Sequence, residues 1–268
     1  NHHNASLIKI VFQTVFWCLV ITIICAIFFD QRSPFSLLKN AFPFIGDRLW
    51  YITCYCFVFV CAPYLNLVAS RLSQRNYRKL MILLVILMSF VPTFLLRDYF
   101  HIINHGYSVG WLIYMYLLGG YFKKFGFSER LTKIKVGMSL LACVLLITAS
   151  RYVIEFLISK IGITANVSLQ LYYYCSPLML LVSVLFLYLF VTANIKNKAD
   201  SVCLSWISKV SLGVYIIHAH PYSLDYLLVG KNLEWTIFNN PLVTLLVLVC
   251  VILAIVIGTG LLEQLRIV

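Results

Sequence analysis

Ser211, Tyr215, His218 and Tyr222 recur within one apolar run at offsets of 0, 4, 7 and 11 residues. On a continuous helix those offsets fall within about 60° of one another and make a polar stripe. An ionisable side chain inside a long apolar run is costly, so it faces a cavity or a partner. His218 is therefore the leading candidate for chemistry. An imidazole there could orient a hydroxyl substrate or relay its proton, a contribution of about 10²–10⁴-fold. His220 lies about 200° further round the same helix and reads as a structural or interfacial residue. Pro221 is expected to bend the helix by freeing the carbonyl of Ile217.

A second group is Arg97, Asp98, His101 and His105, close together between two apolar runs. A guanidinium, a carboxylate and two imidazoles can bind a sugar or assist its hydroxyl; a solvated loop with a local ion pair is the plainer reading. His101 and His105 have helical spacing, but no third metal ligand stands nearby, so no metal is expected. Trp50 and Tyr51 stand at the mouth of another apolar run, as an aromatic wall for a sugar face or as interfacial anchors. The basic clusters Arg71–Lys79 and Lys123–Lys135 could meet the phosphates of a ligand, although their place between apolar runs already accounts for them. Asn66 reads as a hydrogen-bonding residue between helices, and Arg151 and Glu155 as an i,i+4 pair. No Gly-rich phosphate loop, nucleophile elbow or zinc-protease motif occurs.

The elements that must position these groups are apolar. The 268 residues are 62% hydrophobic and 11% charged. A soluble domain would carry roughly a quarter charged residues. The expected fold is all-α, a polytopic membrane helical bundle of about eight transmembrane helices, near residues 8–29, 49–69, 79–96, 107–122, 134–158, 171–194, 207–229 and 241–262. Gly119 and Gly120 can admit a close helix contact. Eight of the nine cysteines lie in the apolar runs and there is no Cys-x-x-Cys, which argues for small buried side chains and against a metal cage.

The net charge of +12 is not read as a nucleic-acid surface. With the N-terminus placed in the cytoplasm, fourteen of the 21 Lys and Arg fall on inner segments, so both termini are expected inside, with anionic membrane lipid as a partner.

Three stretches carry a likeness. They are Phe42-Pro43 with Trp50-Tyr51, Tyr55, Pro63 and Leu65-Asn66; Trp111 to Tyr114 with Tyr116, Leu118-Gly119-Gly120-Tyr121 and Lys123-Lys124; and the unbroken run Ile207 to His218. Together, in this order, they resemble the integral-membrane acyltransferase family called acyltransferase 3, which includes O-acetyltransferases of bacterial surface polysaccharides. The resemblance implies a single membrane domain over residues 1–268, matching the family from its third span onward and lacking the earlier Arg- and His-bearing span. It implies an acyl-CoA donor, most often acetyl-CoA, a glycan or lipid-linked sugar as acceptor, and a bacterial cytoplasmic membrane. Within it, His218 would be catalytic, with Trp50, Tyr51, Arg97, Asp98, His101, Ser211 and Tyr215 on the substrate side. A catalytically inactive remnant, or a transporter of a lipid-linked sugar, is the alternative.

Overall fold

The computed structural model describes residues 2–28, 34–42, 44, 49–95, 103–128, 131–161, 169–193, 198–223 and 240–267. These form helices α1 (His2–Phe28), α2 (Pro34–Ala41), α3 (Trp50–Arg71), α4 (Gln74–Val85), α5 (Val109–Phe125), α6 (Lys133–Ile161), α7 (Pro177–Val191), α8 (Lys198–Ala219) and α9 (Pro241–Ile267). Among the described residues, seven helices are long and apolar enough to cross a bilayer, beginning with Ala5–Phe28 and ending with Leu242–Ile267. The helix nearest the expected fourth span, α5, has 17 residues, at the lower end of the spanning range. The protein is an all-α polytopic membrane bundle. Residues 1–53 with 195–268 form one compact unit, and residues 54–194 form another.

In the unit of residues 54–194, helix ends are set by local chemistry. Ser73, Ser108 and Ser176 each accept a bond from the backbone N–H three residues on. That is the N-cap role their hydroxyls suit. Pro177 follows Ser176 at the first helical position, where its missing N–H is harmless. A π turn over Ile86–Phe90 interrupts the span Gln74–Phe94. Pro92 explains it: the residue cannot donate to Met88, and the Val91 N–H bonds Ile86, five residues back.

Cross-helix polar bonds tie this unit together. Tyr77 donates to the Leu117 carbonyl at 2.8 Å, and Tyr116 donates to Asn66 Oδ1 at 3.0 Å, the interhelical role expected of that asparagine. A Cβ on Gly120 would lie 3.1 Å from the Tyr77 hydroxyl, so this glycine does admit a close contact. Lys124 donates to the carbonyls of Ala69, Ser70 and Leu72, closing the end of α3. The two basic clusters thus meet at the same end of the unit. Arg151 and Glu155 pair at 3.0 Å on α6, as their spacing requires.

A turn over Asn104, His105 and Gly106 has three successive positive φ angles of 41°, 58° and 97°. A Cβ on Gly106 would stand 2.6 Å from the Tyr174 Cβ and 2.9 Å from the Cys175 backbone nitrogen. Gly106→Ala is therefore expected to lower stability by about 1–3 kcal/mol, read as a reduced thermal midpoint in detergent. Gly126→Ala, where φ is also positive but nothing lies within 4 Å, should fall by less.

Candidate functional site

The unit of residues 1–53 and 195–268 gathers four of the expected site residues into one run of ring contacts. Trp50 meets Tyr51 edge-on at 5.8 Å, Tyr51 meets Tyr215 at 5.4 Å, and Tyr215 meets His218 at 5.9 Å. The first turn of α3 supplies the two former residues, and the last two turns of α8 supply the two latter. The Tyr51–Tyr215 contact is the one the chain order does not force.

His218 is partly buried, and its Nδ1 stands 2.6 Å from the Val214 carbonyl oxygen. That oxygen can only accept, so Nδ1 carries the proton, and in the neutral ring Nε2 holds the lone pair. Nε2 has no hydrogen-bond partner among the described residues. This is the state a general base needs: one nitrogen fixed by its donor bond, the other ready to accept.

His220 is committed on both sides. Its Nε2 lies 3.2 Å from the Asn40 carbonyl, and its Nδ1 lies 3.2 Å from the Tyr222 N–H. The partners dictate a neutral ring protonated at Nε2. His220 lies one residue beyond the span Ser201–Ala219. Burial lowers its pKa to about 4, against a smaller opposing effect of the Asn40 carbonyl. The structural role expected of His220 is what its contacts provide.

The sign of its pH dependence follows. The unfolded chain binds this proton below about 6.5 and the folded chain only below about 4. The contribution is complete above about pH 6.5 and is lost as pH falls toward 4, a drop of roughly 3 kcal/mol. Thermal midpoints between pH 7 and 4 should fall with this slope in the parent, and His220→Gln should flatten it.

Two expectations for α8 change. The helix does not run through 207–229 as one rod: it begins at Lys198 and breaks at His220. The reason is Pro221, whose missing N–H cannot bond Ile217, while the His220 N–H still bonds Ile216 at 3.1 Å. His218 consequently sits in the last turn of α8, not at the middle of a span over 207–229, and the buried Tyr222 lies past the break. Ser211 is exposed, and its hydroxyl donates to the Ser208 carbonyl at 3.1 Å. Arg97, Asp98, His101 and Pro43 lie outside the described residues. His105 stacks on Tyr173 at 4.0 Å in the other unit.

The residue that sequence reading missed is Glu263, fully buried on α9. Its carboxylate accepts from Gln13 Nε2 at 3.0 Å, from the Trp17 indole N–H, and from Arg266. Each oxygen has at least two donors, as a buried charge in an apolar bundle requires. The carboxylate lies on Gly213 of α8, where a Cβ would be 2.3 Å from Oε2. Gly213 points about 140–160° away from Tyr215 and His218. One face of α8 therefore seats the buried carboxylate and the other carries the ring cluster. A signal was present: an acidic residue ending a long apolar run, three positions before an arginine.

A membrane bundle with an oriented imidazole among tyrosines at a helix break defines an integral membrane protein built around a polar seam. The sequence model of a family described as an acyltransferase domain, acyltransferase 3, matches residues 5–260, and the chain belongs to that family. No curated protein and no solved structure matches the chain.

Proposed function

We propose that this acyltransferase is a membrane O-acyltransferase that moves an acyl group, acetyl in the first instance, from acyl-CoA to a sugar hydroxyl of a cell-surface or lipid-linked glycan. Family membership supports acyl transfer. The observation that carries the rest is the orientation of His218, with Nδ1–H on the Val214 carbonyl and the Nε2 lone pair open. Nε2 accepts the proton of the attacking hydroxyl. The hydroxyl oxygen forms the new ester bond to the acyl carbon, the thioester bond breaks, and the leaving sulfur takes up that proton, so that coenzyme A departs as the thiol and the imidazole returns to its neutral form. Trp50, Tyr51 and Tyr215 give the sugar an aromatic wall, since ring faces attract the polarised C–H groups of a sugar. No metal enters this scheme.

The test is membrane vesicles containing the protein, with labelled acetyl-CoA outside and lipid-linked or polymeric glycan present. Label should pass to the glycan as an alkali-labile ester. A purified, folded protein that never transfers label to any glycan offered would overturn the reading in favour of an inactive remnant.

A further inference from the structure

We infer that the cleft between the ends of α5 and α7 holds one acyl chain of an anionic phospholipid, whose phosphate rests on Lys123. The cleft has a volume of about 660 Å³. That lies within the ~300–1,000 Å³ of sites that enclose a small molecule. It belongs wholly to the unit of residues 54–194, whereas His218 belongs to the other. The lipid is not a reactant, and the inference does not rest on the proposed reaction.

The walls are carbon. Phe122 and Phe127 stack at 4.3 Å and 13°, and Leu131, Leu187 and Val191 continue the lining. Two glycines keep the space open: a Cβ built on Gly119 or Gly126 meets nothing within 4 Å. The polar groups of the wall are already engaged. The Tyr188 hydroxyl donates to the Leu131 carbonyl, and the Thr192 hydroxyl donates to the Tyr188 carbonyl, both at 2.7 Å. A guest of this cleft gains from its apolar length, not from hydrogen bonds.

The rim carries the charge. Lys123 is exposed and has no hydrogen-bond or ion-pair partner among the described residues, whereas its neighbour Lys124 is held by three carbonyls. Lys133 and Lys135 open α6 just beyond Leu131 and add to the positive field at this end. A lysine at a span end can lay its stem along apolar surface and keep its ammonium at the headgroup level. Anionic headgroups are drawn to such clusters. An apolar cleft with one lysine in its lining fits a chain that ends in a single phosphodiester charge. Coenzyme A adds an adenine ring and further phosphate charges, and among the described residues no second basic side chain lines the cleft to receive them.

Native mass spectrometry of the whole chain, released from detergent with phosphatidylglycerol, phosphatidylcholine of the same chains, or palmitoyl-CoA, tests this. The parent should retain one phosphatidylglycerol in preference to phosphatidylcholine. Lys123→Gln should cut that preference by about fivefold, the worth of one lysine at an anionic surface. Gly119→Phe, which has room for its Cβ and fills the cleft, should lower retention of both lipids by roughly tenfold or more, because it removes chain burial. Gly119→Ala fills little and should retain lipid like the parent, and an unchanged thermal midpoint for each variant shows that the fold persists. Equal lipid retention by the parent and by both Lys123→Gln and Gly119→Phe would overturn the inference. So would Lys123-dependent displacement of the lipid by equimolar palmitoyl-CoA, which would give the cleft to the donor.

Discussion

His218→Ala should reduce acyl transfer by about 10²–10⁴-fold, the range that one positioned acid–base group contributes. The reason lies in the two nitrogens. Val214 holds Nδ1–H, so the lone pair of Nε2 has a fixed direction before any substrate arrives. Alanine removes the acceptor and leaves the two remaining ring contacts, Trp50 against Tyr51 and Tyr51 against Tyr215, in place. Only one side-chain bond is lost, and it is to a carbonyl that the helix ladder also serves, so the thermal midpoint should barely move. His220→Ala should behave in the opposite way. It strips partners from the buried Asn40 carbonyl and Tyr222 N–H and so lowers stability first. Transfer rates per folded molecule, with melting curves for the same preparations, separate the two. If His218→Ala turned over like the parent at equal folded amount, its role as base would be excluded.

The contrast between these imidazoles shows how far a sequence can be read. Long apolar runs are legible because a membrane requires about 20 such residues, and α1, α3, α6 and α9 lie close to where hydropathy puts them. Pro221 announces a break, yet its register is not legible: only the backbone shows that α8 stops at Ala219 and that His218 occupies the final turn. Local pairs such as Arg151 with Glu155 follow from spacing alone. Pairs that the fold closes do not. Gln13 and Glu263 are 250 residues apart, and nothing near either names the other. The same holds for Tyr51 and Tyr215, and for Lys124, whose charge explains where it stands but not the three carbonyls it bonds. Helix α2 is short and lies between longer apolar runs, so hydropathy gives it no signature, although its Asn40 completes the His220 environment.

Gly213→Ala should be among the most destabilising single-methyl additions in this protein. The new Cβ would lie 2.3 Å from Glu263 Oε2 and 2.5 Å from both Cγ and Cδ, far inside contact distance. A free glutamate would swing aside. This one cannot, because Gln13 and Trp17 of α1 and Arg266 of its own helix hold both oxygens, and the side chain has no exposed surface to move into. Either the carboxylate leaves its donors or α8 and α9 separate. Stripping partners from a buried charge costs about 3–5 kcal/mol, enough to remove much of the folded population at growth temperature. The cause can be isolated. Glu263→Ala alone loses the donors and ion pair of the buried carboxylate and should also destabilise, but Gly213→Ala combined with Glu263→Ala removes the clash, so the double variant should be more stable than the sum of the singles by at least about 1 kcal/mol. Denaturant or thermal unfolding of the four proteins in one detergent measures the cycle. Strict additivity would mean that the carboxylate does not occupy the bare face of Gly213, and the seam between α8 and α9 would need another explanation.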